Sequence, residues 1–441
     1  MRKISKLSAL FLTVLTTFSL TSCNKSSVKL EKDDVIFSKN LYLDLSNIPT
    51  KFQFNIELEA EPIEINLGAR IKIYEENFQY KNNILTIDTS VFKDEKGNVK
   101  ILSGDQTFKI RMDNNKTTTK DILLVDKVIK TASDLQNINN KPQGSYILGN
   151  DIDCSSISNF EPLGFMESDT RADQEFLGVF DGNGYALKNI TSIYSTDLTN
   201  NERNYNGQTL FEDESHKNGD VWGVFQTIGE SGIVRNLSLD NCKVAGRTIV
   251  GVLCGNNAGT IENVFINSNC HADMSTHFYD DNCNVGGIAG INGGTIRNVI
   301  SLATASIVST YIDYGDNYLE EEGINHHYFY SGTKGWKDSN GLDSTGLYAG
   351  IGKTWGYAFD CYALKFENSD GTIAPFSQTH LYENKNEDGP NKGELKRCDV
   401  KTKDEMKNIN LYTNYSKDVW NIYDNSFPTL KAIYPTYKYS K

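Results

Sequence analysis

The stretch GGIAGINGGTIRNV fills residues 286–299, and 35 residues earlier GVLCGNNAGTIENV fills 251–264. Eight of the fourteen positions are identical. Related phrases stand at 178–190 (GVFDGNGYALKNI) and 223–237 (GVFQTIGESGIVRNL), with a degraded copy at 349–364 (AGIGKTWGYAFDCYAL). Each opens on an apolar run, turns at glycine and closes on a second apolar run. In four copies an asparagine precedes the next apolar residue: Asn189, Asn236, Asn263 and Asn298, spaced by 47, 27 and 35 residues. Unequal spacing around a constant phrase means one repeated core unit carrying insertions of different length.

One such unit cannot bury its own apolar face, but stacked units can, by adding strands in parallel and laying like residue on like. Glycine permits tight corners between strands. Asparagines at matching corners can hydrogen-bond from one layer to the next. The pattern predicts an all-β chain with a right-handed parallel β-helix (a solenoid) from residue 128 onward. A β-propeller is the alternative; it calls for four strands per blade and a more regular period.

Upstream, the runs VIFSKNLYLDL, KFQFNIELEA, ARIKIYEENF, NILTIDTSVF, QTFKIRM and KDILLVD alternate between apolar and polar and are separated by turn formers. That is the pattern of an antiparallel β-sandwich over 35–127. Thr131 or Ser133 is placed to cap a short helix between the two parts, with Asp134 in its first turn.

The 441 residues carry a formal charge of -13. An acidic surface repels phosphate backbones and no long basic run offsets it, which argues against a nucleic-acid partner. Arg2, Lys3 and Lys6 precede the apolar LSALFLTVLTTFSL (7–20), which is short for a membrane span. The polar NKSSVKLEKDD after Cys23 suits a tether over 23–34. Eight cysteines are present without CxxC or CxxH spacing, so no zinc site is expected. Cys270 and Cys283 bracket a polar loop and are candidates to pair.

Three resemblances follow from these residues. LTSC (20–23) is similar to the bacterial lipobox, which implies a signal peptide over 1–22, a lipid on Cys23 and a membrane-anchored lipoprotein of the bacterial envelope. The sandwich resembles immunoglobulin-like modules of bacterial surface proteins, which serve as spacers. The repeated phrases resemble the GLUG repeats of bacterial surface proteins, some of which flank IgA-cleaving metallopeptidases. TASDLQNI, GSYILGNDIDCSS and FLGVFDGNGYALKNI look like the usual entry into such an array, and VWNIYDNSFPTLKAIY (419–434) like its exit. The resemblance implies surface display and adhesion.

No HExxH is present. HADMSTH (271–277) has the wrong spacing for a peptidase zinc site, and GLYAGIGKT (346–354) fails as a phosphate-binding loop both in count and in the strand-like sequence after it. Two insertions, 195–222 and 311–346, hold what is left. The second carries Tyr311, Tyr314, Tyr318, Tyr328, Tyr330 and Trp336, aromatic faces suited to stacking on sugar rings. Asp280, Asp281, Asp313 and Asp316 are candidates for calcium ligands or for the acid and base of a carbohydrate-cleaving enzyme. The expected function is non-enzymatic binding or adhesion to a glycan or host-surface ligand by a monomeric, lipid-anchored protein. The alternatives are a polysaccharide lyase or glycoside hydrolase, and a structural envelope component.

Overall fold

The computed structural model describes residues 35–36, 38–164, 175–193, 221–246, 249–276, 284–313, 326–331, 346–367, 373–379 and 394–434. Cys23, Tyr314, Tyr318, Trp336, Asp280, Asp281, Asp316 and Cys283 lie outside them.

The first part is a sandwich. Strands Val35–Ile36, Lys51–Asn55, Ile84–Asp88 and Phe78–Lys81 form one sheet; Tyr42–Asp44, Thr117–Val125, Gly104–Met112, Pro62–Leu67 and Ile71–Ile73 form the other. Phe52 and Phe54 of the first sheet stack on Phe108 of the second, with ring centroids 6.4 and 5.5 Å apart. A single apolar core fills the space between the sheets.

The second part is a parallel β-helix of four sheets. Its wide sheet runs, in spatial order, through Lys127–Ile129, Tyr146–Leu148, Val179–Asp181, Ile233–Asp240, Thr260–Ile266, Thr295–Ser301, Tyr357–Leu364 and Glu394–Lys401, every pair parallel. The flank sheet holds Thr191–Ile193, Lys243–Gly246, His271–Thr276 and Thr304–Asp313, with His326–Ser331 added antiparallel at its edge. Two narrower sheets complete each turn; Ile249–Gly251 and Cys254–Asn257 are examples. One coil thus reads 249–251, 254–257, 260–266, 271–276, and the next repeats it from 284. In-register parallel strands set the propeller aside.

The first coil is closed by α1 (Ala132–Gln136), where Thr131 Oγ1 accepts the Asp134 N–H at 3.1 Å. Ala132 and Leu135 of α1 and the following Ile138 are buried against the first coil. A solenoid end left bare would expose its core, and α1 covers this one.

The repeated phrase now has a physical reading with two parts. Asn236, Asn263 and Asn298 stand in one column across successive coils, each with a left-handed backbone at φ 54–55°. Asparagine tolerates that region better than other non-glycine residues. The left-handed residue resets the strand's alternation, so Ile261 and Val264, three apart, both enter the core. Asn298 Nδ2 donates to Asn263 Oδ1 (3.3 Å), Asn263 Nδ2 to Asn236 Oδ1 (3.2 Å), and Asn236 Nδ2 to Asp181. Asp360 and Arg397 occupy the next two places with φ of 54° and 55° and form an ion pair. Asn189 was expected in this column and is not there. It pairs with Asn241 at a different corner, between the wide and flank sheets, where Asn241 Nδ2 donates to Asn189 Oδ1 at 2.7 Å. The place of Asn236 in this coil falls at Gly182–Asn183, just after Asp181 aligns with Arg235, whereas Lys188 aligns with Asp240 and so sets Asn189 beside Asn241.

The glycines have a separate task. Gly178, Gly232, Gly259, Gly294 and Gly356 precede the wide-sheet strands in register. A Cβ on Gly259, Gly294 or Gly356 would fall inside 3.0 Å of the carbonyl oxygen of the glycine one coil back. These positions are glycine because backbones meet there, and the left-handed corners belong to asparagine.

The C-terminal segment 402–434, which includes the 419–434 phrase read as the array's exit, folds back across the outer face of the wide sheet. Tyr415 donates to Asp360 O (2.6 Å), Trp420 Nε1 to Asn263 Oδ1 (3.1 Å), and the Ile433 and Tyr434 N–H groups both reach Asn183 Oδ1. Trp420, Tyr412 and Met406 bury Ile300 and Tyr362 of the sheet beneath them. The strap ends against the sandwich, with Tyr434 edge-on to Tyr42 at 6.0 Å.

Asp360 anchors the strap's start. Burial pushes its carboxyl up, but hydrogen bonds from Arg397 and Asn414 outweigh burial and hold it below the ordinary carboxylate range. A carboxyl lowered on folding contributes stability that is present above its unfolded pKa and lost as pH falls through the folded value. We expect Asp360→Asn to lower the urea midpoint near pH 6, on the order of 2 kcal/mol in stability. The gap from wild type should close as pH drops below about 4. A gap constant between pH 6 and pH 3 contradicts the ion pair's role.

Candidate functional site

The strap covers the outer face of the wide sheet, which leaves the flank sheet as the patterned face. Lys243, His271 and Thr304 stand in register there, and so do Ala245, Asp273 and Ser306. Alternation sends Val244, Ala272 and Ala305 inward, where they are buried, and turns the polar residues out.

The outward residues form a connected network. His271 Nε2 lies 2.9 Å from Asp273 Oδ1 and 3.2 Å from Ser306 Oγ, while Nδ1 lies 2.7 Å from Thr304 Oγ1. Ser306 Oγ donates to Asp273 Oδ1 as well. The Thr304 hydroxyl can donate or accept, so either ring nitrogen can carry a proton within the same set of contacts. Burial raises the Asp273 carboxyl, but the bonds from His271 and Ser306 more than offset it and leave it lowered. The His271 and Asp273 side chains keep 33% and 42% of their exposure, so they remain within reach of a ligand.

The edge of this sheet brings in the aromatic insertion. Strands Thr304–Asp313 and His326–Ser331 pair antiparallel, with Tyr311 opposite Tyr328, Ser309 opposite Tyr330 and Asp313 opposite His326. Tyr311, Tyr328, Tyr330 and Asp313 therefore belong to one hairpin that extends the His271 and Thr304 strands. Of the candidate residues, these four are placed together by the structure. The first insertion is shorter than expected, because Val221–Trp222 is already a coil strand and the Trp222 indole donates to Ser192 O at 3.1 Å. The glycine-rich 346–354 stretch forms strands Gly346–Tyr348 and Ile351–Thr354, without the helix that a phosphate cradle requires. Among the described residues no three His, Cys, Asp or Glu side chains converge to hold a metal.

The network of His271, Asp273, Thr304 and Ser306 was not anticipated. Its signal lay in the repeat itself. HAD (271–273) and TAS (304–306) sit at equivalent places in successive coils, so alternate residues had to share a face.

No family model matches the chain. Halomucin of Haloquadratum walsbyi is 28% identical over 190 residues, which is 41% of this chain and 2% of that protein. A sequence from Evansella cellulosilytica, described as a Gly-rich membrane protein, is 33% identical over 149 residues, or 32% of this chain and 14% of that one. The chain thus spans a small part of the length of these relatives. A solved IgA1 protease covers 80% of this chain and 28% of its own at 15% identity, with a TM-score of 0.28.

Proposed function

We propose that this chain is a cell-surface protein, tethered through a lipid on Cys23, whose flank sheet binds a glycan without cleaving it. One observation carries the reading. The hydrogen-bonding row of His271, Asp273, Thr304 and Ser306 lies on the face the strap leaves uncovered, and its last strand runs on into a hairpin whose backbone pairs Tyr311 with Tyr328. Fixed hydroxyl, imidazole and carboxylate groups match the alternating donors and acceptors of sugar hydroxyls, and aromatic rings match the apolar faces of pyranoses. The names of the two relatives, a halomucin and a membrane protein, support a place at the cell surface.

The test is a glycan array probed with the chain lacking its first 23 residues. His271→Ala with Asp273→Ala, and separately Tyr311→Ala with Tyr328→Ala, should each weaken binding at least about tenfold, the equivalent of ~1.4 kcal/mol. Retention of binding in both variants removes the site. Absence of binding to any glycan favours a structural envelope component. Polysaccharide turnover that vanishes in Asp280, Asp281, Asp313 and Asp316 variants replaces binding with catalysis.

A further inference from the structure

Two pairs of cysteines stand face to face on neighbouring coils. Cys361 is opposite Cys398 in the wide sheet. Cys242 and Cys270 are likewise opposite, each one residue ahead of the paired Lys243 and His271. In the latter pair the Cys270 sulfur accepts the backbone N–H of Cys242 at 3.4 Å, and the parallel register sets Cys361 and Cys398 side by side in the same way. Adjacent strands run about 4.8 Å apart, inside the Cα separation of roughly 4.4–6.8 Å that a disulfide spans. Cys283, the expected partner of Cys270, lies outside the described residues, and the described neighbour of Cys270 is Cys242. The pairs differ in access. Cys242 and Cys270 are buried, whereas Cys398 is partly exposed over a buried Cys361.

We propose that Cys361 and Cys398 are a redox-modification site, closed into a cross-coil disulfide by exchange with a protein or small-molecule disulfide outside the cytoplasm. The Cys398 thiolate attacks one sulfur of the oxidant's disulfide and expels the other as a thiolate, giving a mixed disulfide. Cys361 then attacks the Cys398 sulfur and expels the oxidant's second thiolate. The two protein thiols are oxidised by two electrons, the oxidant leaves as two thiols, and the two protons go with it. Order follows from environment. The adjacent Cys361 thiol, together with backbone donors, draws the Cys398 thiol below its ordinary range, while burial pushes Cys361 up. The attacking sulfur is therefore also the accessible one.

The bridge has a structural consequence. Strand Glu394–Lys401 is the last of the wide sheet and begins the strap. An end strand bonded on one side only is where a sheet frays or recruits another chain. A covalent link to the strand beneath pins it.

The experiment treats the mature chain with oxidised glutathione and maps peptides without reduction. The expected product is a Cys361–Cys398 linked peptide, lighter by two hydrogens. Reduction should make the strap several-fold more sensitive to limited proteolysis. Cys361→Ala should halt the exchange at a glutathione adduct on Cys398, and Cys398→Ser should prevent both products. A glutathione adduct that persists on Cys398 in the wild-type chain overturns the proposal. So does maleimide labelling of both thiols after oxidation.

Discussion

Gly294→Ala is expected to cost about 3 kcal/mol or more, the range of a forced overpacking with backbone displacement, and Gly293→Ala far less. The two neighbours look interchangeable in sequence. A Cβ on Gly294 would fall inside 3.0 Å of the Gly259 carbonyl oxygen and the Ala258 carbonyl carbon, both main-chain atoms fixed by the coil beneath. A Cβ on Gly293 would meet only the Trp355 side chain, nearest at Nε1 2.8 Å away, and that ring is 40% exposed and free to shift. The residue one coil back from Gly293 is Ala258, so the coil already accepts a methyl group there. At Gly294 the coils have to separate, and a gap there interrupts the wide-sheet ladder. Thermal unfolding of both variants beside wild type decides the matter: Gly294→Ala should lower Tm by on the order of 5–10 °C. Equal shifts at the two positions would show that the column of close approaches does not hold the coils at their spacing.

Much of this architecture was legible because a solenoid repeats its constraints. The close approach before successive wide-sheet strands admits only glycine at 232, 259, 294 and 356, and the left-handed corner four residues later selects asparagine at 236, 263 and 298, so both recur in the chain as letters. The legibility ended where a residue answered to something outside the repeat. Asn189 follows an apolar phrase as Asn236 does, yet that phrase aligns with the strand ending at Asp240, so Asn189 falls at another corner beside Asn241. Sequence spacing cannot tell one left-handed corner from another. The strap was unreadable for a related reason. Trp420, Tyr415 and Leu411 carry no period, and their partners Asn263, Asp360 and Tyr362 are set by how the chain turns back. Asp360 and Arg397 fill asparagine places with charged residues, and an ion pair takes over from the amide ladder there. The His271 network was within reach of register arithmetic, but hydroxyl residues on a strand raise no signal until the neighbouring coil is laid beside them.

The junction between sandwich and solenoid yields the other large effect. Arg235 lies on the wide sheet with its Nε 2.7 Å from Asp181, while its two terminal nitrogens clasp Asp105 of the sandwich, each at 2.7 Å. Tyr434 at the strap's end also contacts it. One guanidinium thereby joins sandwich, coil and strap. The three contacts are not equal. Asp105 keeps 47% of its side-chain exposure and Asp181 none. A half-exposed pair contributes about 0–1 kcal/mol. Removing one partner of a buried pair costs ~3–5 kcal/mol, because the other charge stays in the interior unneutralised. Arg235→Ala should therefore be severely destabilising, Asp105→Ala nearly silent, and the double variant Arg235→Leu with Asp181→Leu should recover a substantial part of the loss. Asn236 Nδ2 and the Asn183 N–H also bond Asp181, so the recovery will be incomplete. Urea denaturation of the three variants orders them. If Asp105→Ala proves as damaging as Arg235→Ala, the clasp to the sandwich and not the buried charge governs the junction, and the sandwich would have to be counted a folding partner of the solenoid.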